Sequence, residues 1–446
     1  MKSRRVIAIL LLVLLLVAVP LAVAQQVSQK KDIAVFKLSY YQWDIPDSVL
    51  GGIDEEIRGV FVNIGRFNVL GMTQRLEPGD LTEFIAKIKA YKEERVEMPE
   101  AVQMGREFFT QADFDRLVGS FIVVVPAVAN YVLEVEKDGE FHVALKTSFS
   151  FINVEKGTTF AQAFVDTDGT EKSPDAAAKS AIDAIPFQLT YEVRKIPEFQ
   201  LKTGVLEVQG SEVILELGRD MGIKVGDEFV LVASRVLASG KTLTTENGLL
   251  VVKEVSDEVS VGKVLYAKPK PQEGDQLREF PLLGVETTPY LHVASGLLYD
   301  PGKITAMAGL RQSISRGFYG FRPIIVLEVP FITNIIAAIP LNLYLGGEYM
   351  LYFGRLSVAP MAALGVGGAY LWYLGDSASE DEKFAFTHFG AKANVSFAYL
   401  FNKKLRFTAD VGYMNMFSFV PLKYVNDVFF ADYDGLFVGA GLTIKL

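Results

Sequence analysis

From residue 434 to 446 hydrophobic and other residues alternate. Leu436, Val438, Ala440, Leu442, Ile444 and Leu446 share one parity, while Phe437, Gly439, Gly441, Thr443 and Lys445 share the other. A period of two is that of a β-strand with unlike faces. The same period recurs near 285–297, 302–312, 320–331, 341–352, 355–373, 388–399 and 405–413. Each run has about ten or more residues, enough for a tilted strand to cross a bilayer. Eight such runs in succession predict an antiparallel eight-stranded transmembrane β-barrel over 284–446.

The connections carry a second pattern. If residue 284 enters from the periplasm, "SISRGFY", "YFGR" and "FNKK" are periplasmic turns. "ITNIIAAIP", "GDSASEDEK" and "FVPLKYVNDVFFADY" are then outer loops, and they are longer. Short inner turns with longer outer loops are usual for bacterial outer-membrane barrels. Tyr349, Phe353, Phe397 and Tyr399 stand at strand ends on the apolar parity at one rim, and Tyr370, Trp372 and Tyr413 at the other, the girdle position. The rival is a soluble β-sandwich, which also alternates. It would set a far more charged face to water. Here the second face is rich in glycine, alanine and small polar residues. Its charges nearly cancel: Arg311, Arg322, Lys392, Arg406 and Lys445 against Glu286, Glu328, Glu348 and Asp410. Such a set predicts a narrow lumen filled by paired side chains. Lumen-side Gly412 and Gly441 are expected to accept arginine more readily than lipid-side Val411 and Ala440.

Upstream the pattern changes. "DIAVFKL" reads as a strand, and Val49, Ile53, Ile57, Val60, Phe61 and Ile64 follow at helical spacing over 47–64. "RFNVL" reads as the next strand, "LTEFIAKIKAYKEER" and a stretch around 98–118 as helices, and "FIVVVPAVANYVLEVE" as extended chain. Two strands flank "EKGTTF" as a hairpin near 141–165, and Ser173 with Pro174 opens a helix at "SPDAAAKSAIDAI". Over 201–280 two strands flank "QGS". A bend punctuated by Gly218, Gly222 and Gly226 follows, where glycine permits positive φ and Asp227 can accept backbone N–H bonds.

The order of elements over 32–193, with "IAVFKL", the helix, "GRFNVL", the strand pair and the closing helix, resembles the periplasmic domain shared by three families. These are the curli secretion channels, the N-terminal domain of the Tol–Pal β-propeller protein, and flagellar assembly protein T. The G-x-x-x-G-x-x-x-G-D bend of 201–280 resembles the C-terminal small β-barrel of flagellar assembly protein T. The resemblance implies an α+β periplasmic module followed by a small β-barrel, working in envelope, secretion or appendage assembly.

Composition sharpens the division. Aromatic residues are about twice as dense after residue 283 as before it, and charges there balance. Lys2, Arg4 and Arg5 precede an apolar run from Val6 to Ala24 that closes on Ala22-Val23-Ala24, a small-x-small cleavage site. Residues 1–24 are therefore expected to be a signal peptide. Without those three cations the formal charge becomes −12 rather than −9, and all of it lies before residue 284. An acidic chain is a poor partner for nucleic acid.

Chemistry-bearing motifs are sparse. The chain has three histidines and no cysteine, which leaves little for a transition-metal site. His142, His292 and His388 read as structural polar residues. "ASGKT" at 238–242 ends like a phosphate-binding loop but has Arg235 where the motif needs its first glycine, and reads as a turn. "DTDGT" at 166–170 lacks the later ligands of a calcium loop, and Gly169 reads as a hairpin turn. Some small barrels are lipid enzymes using serine and histidine. Ser295 falls on the opposite face from His292, and Ser396 lies eight residues from His388. No catalytic, cofactor-binding or metal residue is assigned.

These readings predict four segments: signal peptide 1–24, α/β periplasmic domain 25–200, small all-β domain 201–280, and outer-membrane barrel 284–446. The expected function is a non-catalytic scaffold anchored in the outer membrane, with residues 25–280 in the periplasm. Its expected partners are membrane lipid and periplasmic proteins, a homo-oligomer among them. The alternatives are a barrel transporting a small or apolar solute and a lipid-modifying barrel enzyme. Eight strands leave an interior just wide enough for side chains, which favours the scaffold.

Overall fold

A computed structural model describes residues 27–40, 45–94, 101–104, 107–119, 122–299, 301–331, 339–370, 384–419 and 433–446. The leader, Trp372, and most of the three longer connections lie outside them.

The first unit is a mixed five-stranded sheet. β1 (Lys31–Val35) pairs in parallel with β2 (Phe67–Gly71) and β5 (Ile122–Val135). β6 (Phe141–Asn153) and β7 (Thr158–Glu171) then extend the sheet as antiparallel strands, in the order β2-β1-β5-β6-β7. α1 (Asp47–Asn63) is the crossover from β1 to β2. Its predicted apolar stripe, from Val49 through Ile53, Ile57, Val60 and Phe61 to Ile64, is buried against the sheet. α4 (Pro174–Asp183) and α5 (Ile185–Lys195) cover the same face. Ser173 caps α4 by accepting the Ala176 N–H at 3.3 Å. On the opposite face α2 (Leu81–Glu94) and α3 (Gln111–Gly119) build a second core around Phe36, Phe84 and Phe109.

Two expectations are corrected here. The stretch around 98–118 is helical only from Gln111. Before it, β3 (Ala101–Met104) and β4 (Glu107–Thr110) pair as a hairpin, because cross-strand pairing of Val102 with Phe109 buries the latter completely. Gly169 is no turn: the hairpin turns at 154–157 and "DTDGT" continues β7. A Cβ at Gly169 would lie 2.4 Å from the Ala177 carbonyl oxygen, so this glycine lets α4 lie close on the sheet.

The second unit is a closed barrel of β8 (Lys202–Gln209), β9 (Glu212–Leu215), β10 (Glu228–Val236), β11 (Thr242–Val255), β12 (Ser260–Ala267) and β13 (Gln276–Phe280). Their order is β10-β11-β12-β9-β8-β13. In the glycine bend Gly222 and Gly226 have φ of +76° and +84°. Gly218 is extended, and is needed because a Cβ there would meet the Asp257 carbonyl oxygen at 2.3 Å.

The third unit is the eight-stranded antiparallel barrel. Its strands are β14 (Val285–Ser295), β15 (Ile304–Ile314), β16 (Phe321–Phe331), β17 (Ile339–Tyr349) with its continuation β18 (Leu351–Phe353), β19 (Leu356–Tyr370), β20 (Phe384–Asn402), β21 (Leu405–Ser418) and β22 (Tyr433–Lys445). The last strand closes the barrel on the first, with Leu291 opposite Ala440 and Glu286 opposite Lys445. Closure leaves no sheet edge unpaired. The parity read from sequence holds: Leu436, Val438 and Ala440 are exposed while Phe437, Thr443 and Lys445 are buried. At the rim nearer the upstream units Tyr349, Phe353, Phe397 and Tyr399 are exposed on the outer face. No described helix is long and apolar enough to cross a membrane.

Candidate functional site

Five charged side chains meet where the three units join. Arg66 precedes β2, and Arg194 sits in the last turn of α5. Asp227 leads into β10, Glu279 lies on β13, and Arg316 lies in the turn between β15 and β16. Glu279 accepts from Arg66 Nη1 at 2.7 Å and from Arg194 Nε at 2.7 Å, and also from the Leu201 N–H at 3.1 Å. Asp227 accepts from Arg194 Nη2 at 2.9 Å, from Arg316 Nε at 2.7 Å and from the Lys224 N–H at 2.8 Å. The carboxylates therefore join the α/β unit, the small barrel and the membrane barrel through one chain of contacts. Arg66, Arg194, Asp227 and Glu279 are each less than 5 % exposed.

Such burial is tolerated only because every charge is paired and hydrogen-bonded. Burial alone would raise the Glu279 carboxyl, but Arg66 and Arg194 bring it down to about 2. Burial pushes Asp227 the same way, and Arg194 with Arg316 outweighs it, so its pKa is lowered. Both stay anionic at neutral pH, and the junction is a fixed ionic lock.

The glycine bend supplies the steric half of the junction. A Cβ at Gly222 would come within 1.8 Å of the Ile64 carbonyl oxygen at the end of α1. One at Gly226 would come within 2.0 Å of the Ser315 carbonyl oxygen. Gly317 N–H donates to Val225 O at 2.7 Å across the same contact. The bend thus turns one bare backbone to the α/β unit and another to the membrane barrel. It does more than make turns, which is all the sequence suggested for it.

The small barrel also closes the mouth of the eight-stranded barrel from which the upstream units emerge. Val230, Leu249, Val251 and Leu265 pack against Met350, Tyr352, Ala359 and Leu400 of the membrane barrel. Glu228 bonds to Lys445 at the end of the last strand. At the rim Arg355 stacks 3.7 Å over the Tyr266 ring, and Lys403 bonds to Glu246 at 2.6 Å.

Above the mouth the lumen is filled by the residues the alternation placed there. Glu286 pairs with Arg406 at 2.8 Å and Arg322 at 3.2 Å, and Glu348 stands opposite Arg322 in the ladder. Asp410 meets His292 Nε2 at 3.0 Å and Arg311 at 3.9 Å. Lys392 pairs with Glu328, which also accepts from the Tyr290 hydroxyl at 2.8 Å. Apolar and aromatic side chains lie among these charges, with Met307 beside His292, Met414 beside Lys392 and Lys392 4.7 Å from the Phe437 ring. His388, Tyr433 and Asn342 continue the filling towards the other end. The space left between the lower charges is a cavity of about 10 Å³, hardly more than one water.

This filling corrects the arginine contrast expected from parity. A Cβ at Gly412 would lie 2.3 Å from the Ala393 carbonyl oxygen and 2.6 Å from the Phe437 ring. One at Gly441 would lie 2.9 Å from the Pro289 carbonyl oxygen. Neither lumen site has room for arginine, so both faces should reject it.

The other residues singled out from sequence are dispersed. His142 Nδ1 contacts the Thr170 hydroxyl at 2.9 Å on an exposed sheet face, and His388 Nδ1 the Thr387 hydroxyl at 2.8 Å inside the barrel. Ser396 donates its hydroxyl to Asp410 rather than to an imidazole. "ASGKT" lies at the tip of the β10–β11 hairpin. Among the described residues no group of three His, Cys, Asp or Glu is placed to hold a metal ion. Sequence reasoning named Asp227 in the junction but missed Arg66, Arg194, Glu279 and Arg316. For Glu279 a signal existed: in "QLREF" it shares parity with Leu277, the buried face of β13.

No protein-family model matches the chain, and no curated protein does. Among solved structures, it is similar to neisserial surface protein A at 13 % identity, over 36 % of this chain and 96 % of that one, with a TM-score of 0.25. It is similar to the PelC dodecamer from Paraburkholderia phytofirmans at 14 % identity, over 36 % and 89 %, with a TM-score of 0.22. The outer membrane channel DcaP of Acinetobacter baumannii is similar at 8 % identity, over 69 % and 85 %, with a TM-score of 0.17.

Proposed function

We propose that this chain is a non-catalytic scaffold for envelope, secretion or appendage assembly, anchored in the outer membrane with residues 25–280 in the periplasm. The observation that carries the reading is the pairing of a filled lumen with a rigid junction. A transporter needs a path, and here Glu286, Arg406, Asp410, Arg311, Glu328 and Lys392 occupy it in mutual pairs. A scaffold needs its working surface held at a set position, and the Arg66–Glu279–Arg194–Asp227–Arg316 chain of contacts does that. The leader, the uncharged outer face of the barrel and the resemblance of the upstream units to assembly proteins support the same reading. The acidic α/β unit is then the surface for periplasmic partners, further copies of the chain included.

The test replaces residues 25–280 by an unrelated soluble domain while keeping leader and barrel. This fusion should reach the outer membrane and behave as a deletion. A fusion that restores the deletion phenotype would move the function into the barrel.

A further inference from the structure

The strands β10 and β11 run on beyond the small barrel. Glu228 bonds to Lys445 at the lumen mouth, Val230 packs on the mouth residues, and Val232 joins that same cluster. Glu246, opposite Val232, bonds to Lys403 on the turn between β20 and β21. Alternate residues of this ribbon thus face the membrane barrel from the lumen mouth to the rim. The ribbon therefore crosses the mouth lying flat, along the plane of the bilayer.

It does not stop at the rim. Five further cross-strand pairs, from Val232–Glu246 to Val236–Thr242, carry it on, a reach of about 15 Å. Residues 233–246 are exposed on both faces of the ribbon. An isolated two-stranded ribbon is at best marginally stable in water, yet this one leaves Val236 73 % exposed, with Leu237 and Leu243 exposed beside it. Where it leaves the rim, Lys403 lies two residues from Phe401, which is exposed with Tyr399 in the lipid-facing girdle. Ser234, Val236, Thr242 and Thr244 continue the parity that Val230 and Val232 turn to the barrel, and none is charged. Arg235, Leu237, Lys241 and Leu243 lie on the other face of the ribbon.

We propose that residues 233–246 form an interfacial arm lying on the periplasmic leaflet. Val236 enters the headgroup–acyl boundary, with the hydroxyls of Ser234, Thr242 and Thr244 at headgroup level beside it, while Arg235, Leu237, Lys241 and Leu243 face water. An uncharged face can enter that boundary without desolvating an ion. Continuity with the mouth-facing side of the ribbon selects lipid over a second copy as the occupant. The arm would limit tilting of the small barrel against the membrane plane. The proposal rests on the reading that the barrel spans a bilayer, and the test separates the two.

The chain has no cysteine, so single introduced thiols label uniquely. Full-length Val236→Cys, Leu243→Cys, Val438→Cys and Phe164→Cys carry a nitroxide in nanodiscs of phosphatidylethanolamine and phosphatidylglycerol. Relaxation by oxygen, which partitions into lipid, is compared with relaxation by a water-soluble nickel chelate. Val438 calibrates the lipid face of the barrel and Phe164 the aqueous α/β unit. The oxygen-to-nickel ratio at Val236 should exceed that at Phe164 several-fold and approach that at Val438, with Leu243, on the opposite parity, nearer Phe164. A Val236 ratio equal to that of Phe164 while Val438 reads as lipid overturns the arm alone. Spin–spin broadening at Val236 that scales with copies per disc shows a second copy there and also overturns it. An aqueous Val438 removes the bilayer reading and the arm with it.

Discussion

At Asp227 two arginines from different units meet one carboxylate oxygen, Arg194 at 2.9 Å and Arg316 at 2.7 Å. Asp227→Asn keeps the shape and removes the charge, leaving two buried guanidinium groups short of a partner. Breaking a buried pair in this way costs roughly 3–5 kcal/mol. The exposed pair Arg219–Asp257, 67 % and 71 % exposed, should cost about 1 kcal/mol or less on Asp257→Asn. Thermal unfolding of the two variants measures the contrast, and equal losses would mean that the junction is not a lock. Acid gives a second readout. Glu279 has its folded pKa lowered from 4.5 to about 2, so its contribution is fully present above pH 4.5. That contribution is lost as pH falls through the interval down to about 2. Glu279→Gln should be less stable at neutral pH and should lose this part of the pH dependence. A variant with the same acid profile as the parent would place the transition elsewhere.

Gly222 and Gly226 show how one short stretch positions whole units. At Gly222 an alanine would need both a φ of +76° and a Cβ 1.8 Å from the Ile64 carbonyl oxygen, and neither is accessible to an L-residue without movement. Gly222→Ala should therefore release the α/β unit from the small barrel while leaving the membrane barrel folded. Limited proteolysis should cut the variant between α5 and β8, around 196–201, with the barrel fragment still heat-modifiable on a gel. Resistance equal to the parent would mean that the contact at Ile64 yields without cost. The barrel strands were legible because an exposed apolar face on one side and a packed lumen on the other impose a strict period of two. The helix at 47–63 was legible for the corresponding reason at a period near 3.6. Arg194 was not, since it follows Val193 on a helix and its partners Asp227 and Glu279 lie 33 and 85 residues away. The β3–β4 hairpin was hidden by shortness, because four-residue strands carry too little period to outweigh helical composition. The extension of β7 through Gly169 was hidden because its reason is the approach of α4, which no local pattern records.

The small barrel at the mouth and the side chains in the lumen are two seals in series, and they differ in kind. The first is a docked apolar surface, Val230, Leu249 and Val251 on Met350, Tyr352 and Leu400, reinforced by Glu228 and Lys445. The second is a set of covalently attached side chains that cannot leave without unfolding a strand. Loosening the first alone should open no path, because the charges above it remain in place. Val230→Asp with Leu249→Asp puts two carboxylates into the docked surface, which should undock the small barrel at the mouth. In planar bilayers this double variant, like the parent, should show no steady conductance. Shortening the lumen charges in pairs, Lys392→Ala with Glu328→Ala and Arg311→Ala with Asp410→Ala, removes filling without stranding a buried charge. Combined with the mouth variant, those changes enlarge the cavity but should still give no steady conductance, because Glu286, Arg322, Glu348 and Arg406 fill the layer beneath them. Steady conductance from the mouth variant by itself would show that the lumen conducts once uncovered. The small barrel would then be the gate of a transporter, and the scaffold reading would fall.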